Sequence, residues 1–169
     1  MKFKDTKYGD LTGQTYKGDI DVSNLKLTSL EGAPKKVHGY FWCYDNENLT
    51  SLKGAPETVG GNFGCYNNQL KSLEGSPRSV KGSFTCFYNS RLKSLGGAPS
   101  IVGGYFDCSS NPELTQNDIW GLLDSDIKGE IIIPEGLKAP TEDDYKLYNK
   151  LHKNINKFIK LKSLKDKLI

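Results

Sequence analysis

The chain has 169 residues, 36% of them hydrophobic and 25% charged, which is enough for one domain with an appendage. A formal net charge of +3 is too small to argue by itself for a nucleic-acid partner, and 18 glycines point to many tight turns. No apolar run of about 18 residues occurs, so no membrane span is expected.

The charge is unevenly placed. Residues 145–169 carry eight Lys against one Asp, a net +7, whereas residues 115–144 carry two Lys against eight acids, a net −6. The remaining residues sum to about neutral.

The opening MKFKDTKYGDLTG lacks the apolar stretch of a secretory signal, so a soluble, cytoplasmic protein is the expectation. The segment KGDIDVSNLKL follows, and its Gly18, Ile20 and Val22 precede Gly39, Phe41 and Cys43 by 21 residues. It reads as an irregular first coil, with Asn24 one residue out of phase.

Four near-identical copies then run from Leu27, Leu49, Leu70 and Leu92, with a fifth start at Leu114. Their common pattern is L-x-S-L-x-G-(A/S)-P-x-x-V-x-G-x-F-x-C-x-x-N, with periods of 22, 21, 22 and 22. The short copy lacks one residue between Asn68 and Leu70, in a turn, where length changes cost little. Phe and Cys alternate with variable residues, as a strand with one buried face does. Leu49 and Leu52 return to the interior, Gly54 and Pro56 turn the chain, Val59 points inward, and Gly61 lets the next strand start in a tight corner. One coil cannot bury this apolar set, but stacked coils can. Asn46, Asn68, Asn89 and Asn111 share one slot, and stacking predicts a ladder of buried amides that satisfy the backbone at each bend.

After Leu114, Thr115 and Asp118 suggest a capping box, with Asp in place of the usual Glu. Ile119, Trp120, Leu122 and Leu123 make a short amphipathic helix, read as a lid over the last coils. In KGEIIIPEG, Gly129, Ile131 and Ile133 take the Gly, Phe and Cys slots and close the stack, for about six strands. In the last segment Thr141 caps a helix whose start is acidic and whose end is lysine-rich. Tyr148, Leu151, Ile155, Phe158, Leu161 or Lys162, Leu164 and Leu168 give that helix, of up to about 27 residues, an apolar stripe. The stripe could pack on the solenoid, pair with another copy or take a partner.

The spacing F-x-C-x-x-N-x-x-L-x-S-L resembles the leucine-rich-repeat consensus L-x-L-x-x-N-x-L-x-x-L, and L-x-S-L-x-G-A-P looks like its short bacterial and viral variety. More narrowly, L-T-S-L-x-G-A-P-x-x-V-x-G-x-F-x-C is similar to repeats in proteins of tailed bacteriophages, over about residues 16–133. The fold expected is therefore an α/β repeat solenoid, leucine-rich-repeat-like, with a parallel β-sheet of about six short strands, a short helix near the C-terminal cap and a long C-terminal α-helix. The solenoid is expected over residues 1–136 and the basic amphipathic helix over 137–169.

Little points to catalysis. Cys43, Cys65, Cys86 and Cys108 stand 21 or 22 apart, without the close pairs that metal sites use. Val22 and Ile133 fill the same slot in the end coils, so buried, reduced thiols are the reading, with disulfides or a metal as the alternatives. Cys43-Tyr44-Asp45 matches the C-x-D nucleophile of some bacterial leucine-rich-repeat ubiquitin ligases. Those carry it in a separate large domain, however, and the repeat phase here buries Cys43. His38 and His152 have no partner in a fixed frame, and the Gly-Gly pairs are repeat turns, not phosphate cradles. Neither enzymatic activity nor a cofactor or metal is expected.

What remains is surface. By phase, the outward positions are Asp19, Asp21, Ser23; Tyr40, Trp42, Tyr44; Asn62, Gly64, Tyr66; Ser83, Thr85, Phe87; and Tyr105, Asp107, Ser109. Tyr40, Trp42, Tyr44, Tyr66, Phe87, Tyr105 and Asp107 form the candidate partner-binding set, because clustered surface aromatics are typical binding anchors. Cover by the C-terminal helix is the competing explanation. The leading expectation is a non-enzymatic protein-binding module, phage-encoded, that binds or inhibits a host protein, with defence proteins among the candidate targets. Two alternatives stand beside it: non-specific nucleic-acid binding through the Lys-rich helix, and a structural or assembly role through helix-mediated self-association.

Overall fold

Burying Phe and Cys at alternate positions once per 21 or 22 residues forces the chain to return to the same place with every repeat, and a stack of parallel strands is the result. The computed structural model describes residues 1–165, with side chains through Asn156. The chain divides into two compact units, the first Met1–Ala139 and the second beginning at Pro140.

The first unit is a β-solenoid. Each coil carries two strands of two residues: β1 Thr15–Tyr16 and β2 Ile20–Asp21; β3 Lys36–Val37 and β4 Phe41–Trp42; β5 Thr58–Val59 and β6 Phe63–Gly64; β7 Ser79–Val80 and β8 Phe84–Thr85; β9 Ile101–Val102 and β10 Phe106–Asp107; β11 Asp126–Ile127 and β12 Ile131–Ile132. The even-numbered strands form the expected six-stranded parallel sheet, in order β12-β10-β8-β6-β4-β2. Its register sets Ile20, Phe41, Phe63, Phe84, Phe106 and Ile131 in one row, so both end coils sit as their spacing predicted. A second six-stranded parallel sheet, β1-β3-β5-β7-β9-β11, runs beside it through the repeat valines. Its strands contribute one inward residue each, which is too short a pattern to show as alternation in sequence.

The interior is a set of columns. The Phe41, Phe63, Phe84 and Phe106 rings stack with centroids 5.6, 5.3 and 5.2 Å apart and planes within 10°. Phe3, in a 3-10 turn at Phe3–Asp5, continues this stack against Phe41 at 6.2 Å and closes the N-terminal end. It is fully buried, and Lys2 and Lys4 clasp Glu31 at 2.7 and 2.8 Å over it. These two ammonium groups hold the Glu31 carboxyl down at about 2. At the other end, Thr115 N and Oγ1 donate to Asp118 Oδ2, as the capping box predicted. Helix α1, Gln116–Trp120, and the 3-10 turn Gly121–Asp124 then bury Ile119 and Leu122.

Two columns set the coil spacing. At the corner between the sheets, Gly39, Gly61, Gly82, Gly104 and Gly129 hydrogen-bond N to O in series at 2.8–3.0 Å. Backbone lies on backbone there: a Cβ on Gly61 would fall 2.9 Å from the Gly39 carbonyl carbon, and one on Gly129 2.6 Å from that of Gly104. At the opposite corner Asn46, Asn68, Asn89 and Asn111 are buried and form the predicted ladder. Asn68 Nδ2 donates to the Cys43 and Cys65 carbonyls at 3.1 and 2.9 Å, while its Oδ1 accepts from Asn46 N at 2.8 Å. Residues 24, 45, 67, 88 and 110, each just before this slot, have φ of 51–55°. Asn24 belongs to that left-handed column, which accounts for its shifted phase. No buried side-chain polar atom among the described residues lacks a partner.

The second unit is helix α2, Glu142–Lys165, opened by Thr141, whose N and Oγ1 donate to Asp144 Oδ2 at 2.8 and 2.6 Å. Leu147, Leu151 and Ile155 are more than half exposed. The expected stripe residues Phe158, Leu161, Lys162 and Leu164 lie outside the described side chains, and Leu168 lies outside the described residues. No helix among the described residues is long and apolar enough to cross a membrane.

Three substitutions test this packing. Gly61→Ala, which must push two coils apart, lowers stability by about 1–3 kcal/mol in urea unfolding. Gly121→Ala, at φ −60° with open space around its Cβ position, is neutral or stabilising by up to about 1 kcal/mol. Asn68→Leu strands the buried Asn46 N–H and leaves the Cys43 and Cys65 carbonyls with only the Asn46 and Asn89 amides as donors; it costs about 1–3 kcal/mol, read as a fall in Tm.

Candidate functional site

The outer face of the sheet formed by β2, β4, β6, β8, β10 and β12 follows from its register. The row Asp21, Trp42, Gly64, Thr85, Asp107 and Ile132 runs across the strands. Side chains two residues earlier and later flank it, because alternate residues of a strand share a face.

Adjacent coils bring neighbouring aromatics to stacking distance. Tyr44, Tyr66 and Phe87 lie parallel, with centroids 4.3 and 4.4 Å apart and planes 8° from each other. Tyr40 stacks on Trp42 at 5.1 Å, and Trp42 meets Tyr44 edge-on at 6.2 Å. Five of the expected site residues therefore form one connected group, all half-buried. Trp42 lies over its strand neighbour: a Cβ on Gly64 would fall 2.5 Å from Trp42 Cε3. The glycine at this outward slot gives the indole its bed. Tyr105, 44% exposed, stands apart on the fifth coil and makes no ring contact with the group. Asp107 lies beside it on the same coil.

One aromatic was missed in the sequence. Tyr88, 60% exposed, sits edge-on to Phe87 at 5.4 Å and extends the rail outward. Its slot belongs to the left-handed corner column and holds Asp45, Asn67 and Ser110 elsewhere. The signal was available as the one aromatic in a column of small polar residues.

Two phenols of the face, Tyr66 and Tyr40, are held neutral. Burial pushes Tyr66 up to about 12, reinforced by Tyr44 stacked on it and by Asp45 and Asp21. Tyr40 is raised too, by burial and by Asp19 and Asp21. Each therefore offers an uncharged hydroxyl, donor and acceptor, above an apolar ring. Such amphipathic rings suit an interface that is apolar in its centre and hydrogen-bonded at its rim.

No protein-family model, curated protein or solved structure matches this chain. Function must therefore be argued from the geometry.

The thiols are not on this surface. Cys43, Cys65, Cys86 and Cys108 are free and buried in one interior column. Burial pushes all four thiols up, Cys108 to about 12, so the thiolate that would attack a substrate or bind a metal does not form near neutrality. His38 lies on the outer face of the other sheet, one residue after Val37 of β3, and His152 lies on α2 against the Tyr148 ring at 4.1 Å. Among the described residues no group of three His, Cys, Asp or Glu is arranged to hold a metal.

The cysteine column yields a prediction. At pH 8 the native protein resists alkylation by iodoacetamide, and all four thiols react once it is unfolded in guanidinium. Rapid labelling of one thiol in the native state would mean that its coil opens readily.

Proposed function

We propose that the solenoid is a protein-binding module without enzymatic activity, gripping its partner with Tyr40, Trp42, Tyr44, Tyr66 and Phe87. The observation that carries this reading is the connected aromatic group on one sheet face, with rings already stacked in fixed register. Rigid aromatics lose little side-chain freedom on binding and dominate measured interface energies. Tyr105 and Asp107 form the rim on the fifth coil. The likeness of the repeats to leucine-rich repeats fits the same use, since stacked repeats offer extended surfaces to partners. The similarity to tailed-bacteriophage repeats supports a phage origin and a target in the host cytoplasm, whose activity the protein would inhibit.

The test is affinity capture from bacterial lysate with mass spectrometry, comparing the wild type with Trp42→Ala/Tyr66→Ala. Each truncation removes an anchor worth about 2 kcal/mol or more, so the double variant loses the specific partner while its Tm stays close to wild type. Equal recovery of every specific protein by both forms would count against the aromatic face.

A second reading rests on α2. Lys150 and Lys153 are exposed and have no carboxylate partner among the described residues, which favours loose contact with nucleic-acid phosphates. Nucleic acid captured at low salt, released by added salt and unaffected by the aromatic substitutions would support that reading.

A further inference from the structure

We propose that the partner of the aromatic face presents a basic segment with an apolar middle, its cationic side chains meeting Asp21 at one end and Asp107 at the other. This rests on the protein-binding reading above and names the chemistry of the partner.

The face is selective in charge. The chain has 23 Lys and Arg in 169 residues, yet none occupies an outward position on the six strands of this sheet or on the flanking rows. Those rows carry four carboxylates instead: Asp19, Asp21, Asp107 and Glu130. None of the four is ion-paired among the described residues; elsewhere on the solenoid Glu31, Glu57, Glu113 and Asp126 have lysine partners, while Asp45, Glu47 and Glu74 do not. The opposite sheet is mainly basic, with Lys36, His38, Lys81 and Lys128 at or beside its strands and one carboxylate, Asp126, paired with Lys128. The acidic character therefore belongs to this face and does not follow from overall composition.

Asp21 and Asp107 are also held alike. Asp21 Oδ1 accepts from Ser23 N and Oγ at 3.0 and 2.6 Å, and Asp107 Oδ1 accepts from Ser109 N and Oγ at 2.9 and 2.7 Å. In each, Oδ2 makes no hydrogen bond among the described residues. Each carboxylate is thus fixed in orientation, with one oxygen unused. The two lie in the same row, four strand spacings or about 19 Å apart. Between them lie Trp42, Gly64 and Thr85, flanked by the Tyr44–Tyr66–Phe87 stack.

An occupant must answer both ends and the middle. A neutral or acidic partner would desolvate these carboxylates without compensation. Arg or Lys would pair with them and could also lie over the Trp42 and Tyr40 rings, which attract cations. The separation suits basic residues about six apart in an extended chain or about thirteen apart along a helix.

The test uses two fluorescein-labelled peptides of about fourteen residues, the length that spans both carboxylates as a helix. They share a centre of Leu and Trp and differ in their ends, arginine pairs in one and glutamate pairs in the other. Each is titrated with the full-length protein and followed by anisotropy. The arginine peptide should bind at least about tenfold more tightly, an advantage that shrinks as salt is raised. Asp21→Asn/Asp107→Asn, which keeps the serine braces, should bring the two peptides to within about twofold. Trp42→Ala/Tyr66→Ala should weaken both. Equal binding, a preference for glutamate, no binding of either peptide, or an arginine preference that survives the double Asp substitution would each overturn the inference. The protein-binding reading fails separately, only if the aromatic substitutions leave capture from lysate unchanged.

Discussion

The backbone hydrogen bonds between successive coils are the constraint on which the rest of this solenoid depends. They fix the coil rise at the spacing of parallel strands, about 4.8 Å, and every side chain must accept that pitch. At one corner the pitch admits no side chain, so the Gly39-to-Gly129 column stacks backbone on backbone. At the other corner the turning chain leaves amides and carbonyls inside, and the asparagine column answers them. The same pitch brings like residues face to face, which suits flat rings. The phenylalanines stack inside at 5.2–5.6 Å and the surface aromatics outside at 4.3–4.4 Å, one geometry used for stability and for recognition.

Much of this was legible in the sequence because a repeat converts position into structure. The slot of Cys43 in one copy is the slot of Cys65 in the next, so interior columns, the asparagine ladder and the outward face could be read from phase alone. Ile20 and Ile131 could be placed in the phenylalanine row for the same reason. What escaped lacks that period. The second sheet shows one buried valine per coil, too little to display alternation. Phe3 lies before the repeats, and only three-dimensional packing brings its ring onto the end of the phenylalanine stack. On the face, the sequence told which residues point outward but not which rings touch. The lean of Trp42 over Gly64 depends on side-chain rotamers, and Tyr88 sits at a corner where strand logic does not apply.

The two sheets divide the surface chemically. One carries aromatics and unpaired carboxylates, the other mainly lysines and a histidine, with Asp126 paired to Lys128. Both share a single core, so neither face can change its spacing without the other. Binding specificity can change by substitution at outward positions, whereas the columns beneath must stay as they are. That separation of labour explains why the four copies agree so closely at Leu, Pro, Val, Phe, Cys and Asn and differ at positions such as 42, 64, 85 and 107.

The near-identity of neighbouring coils also has a genetic side. DNA that encodes adjacent, almost interchangeable units is prone to unequal crossing-over, and here such an event would delete or duplicate a whole coil without disturbing register. The Phe3 plug and the α1 lid would meet the same kind of interior wherever the cut fell. The recognition surface could therefore lengthen or shorten in steps of one strand, a change that point substitution in a conventional globular core does not offer.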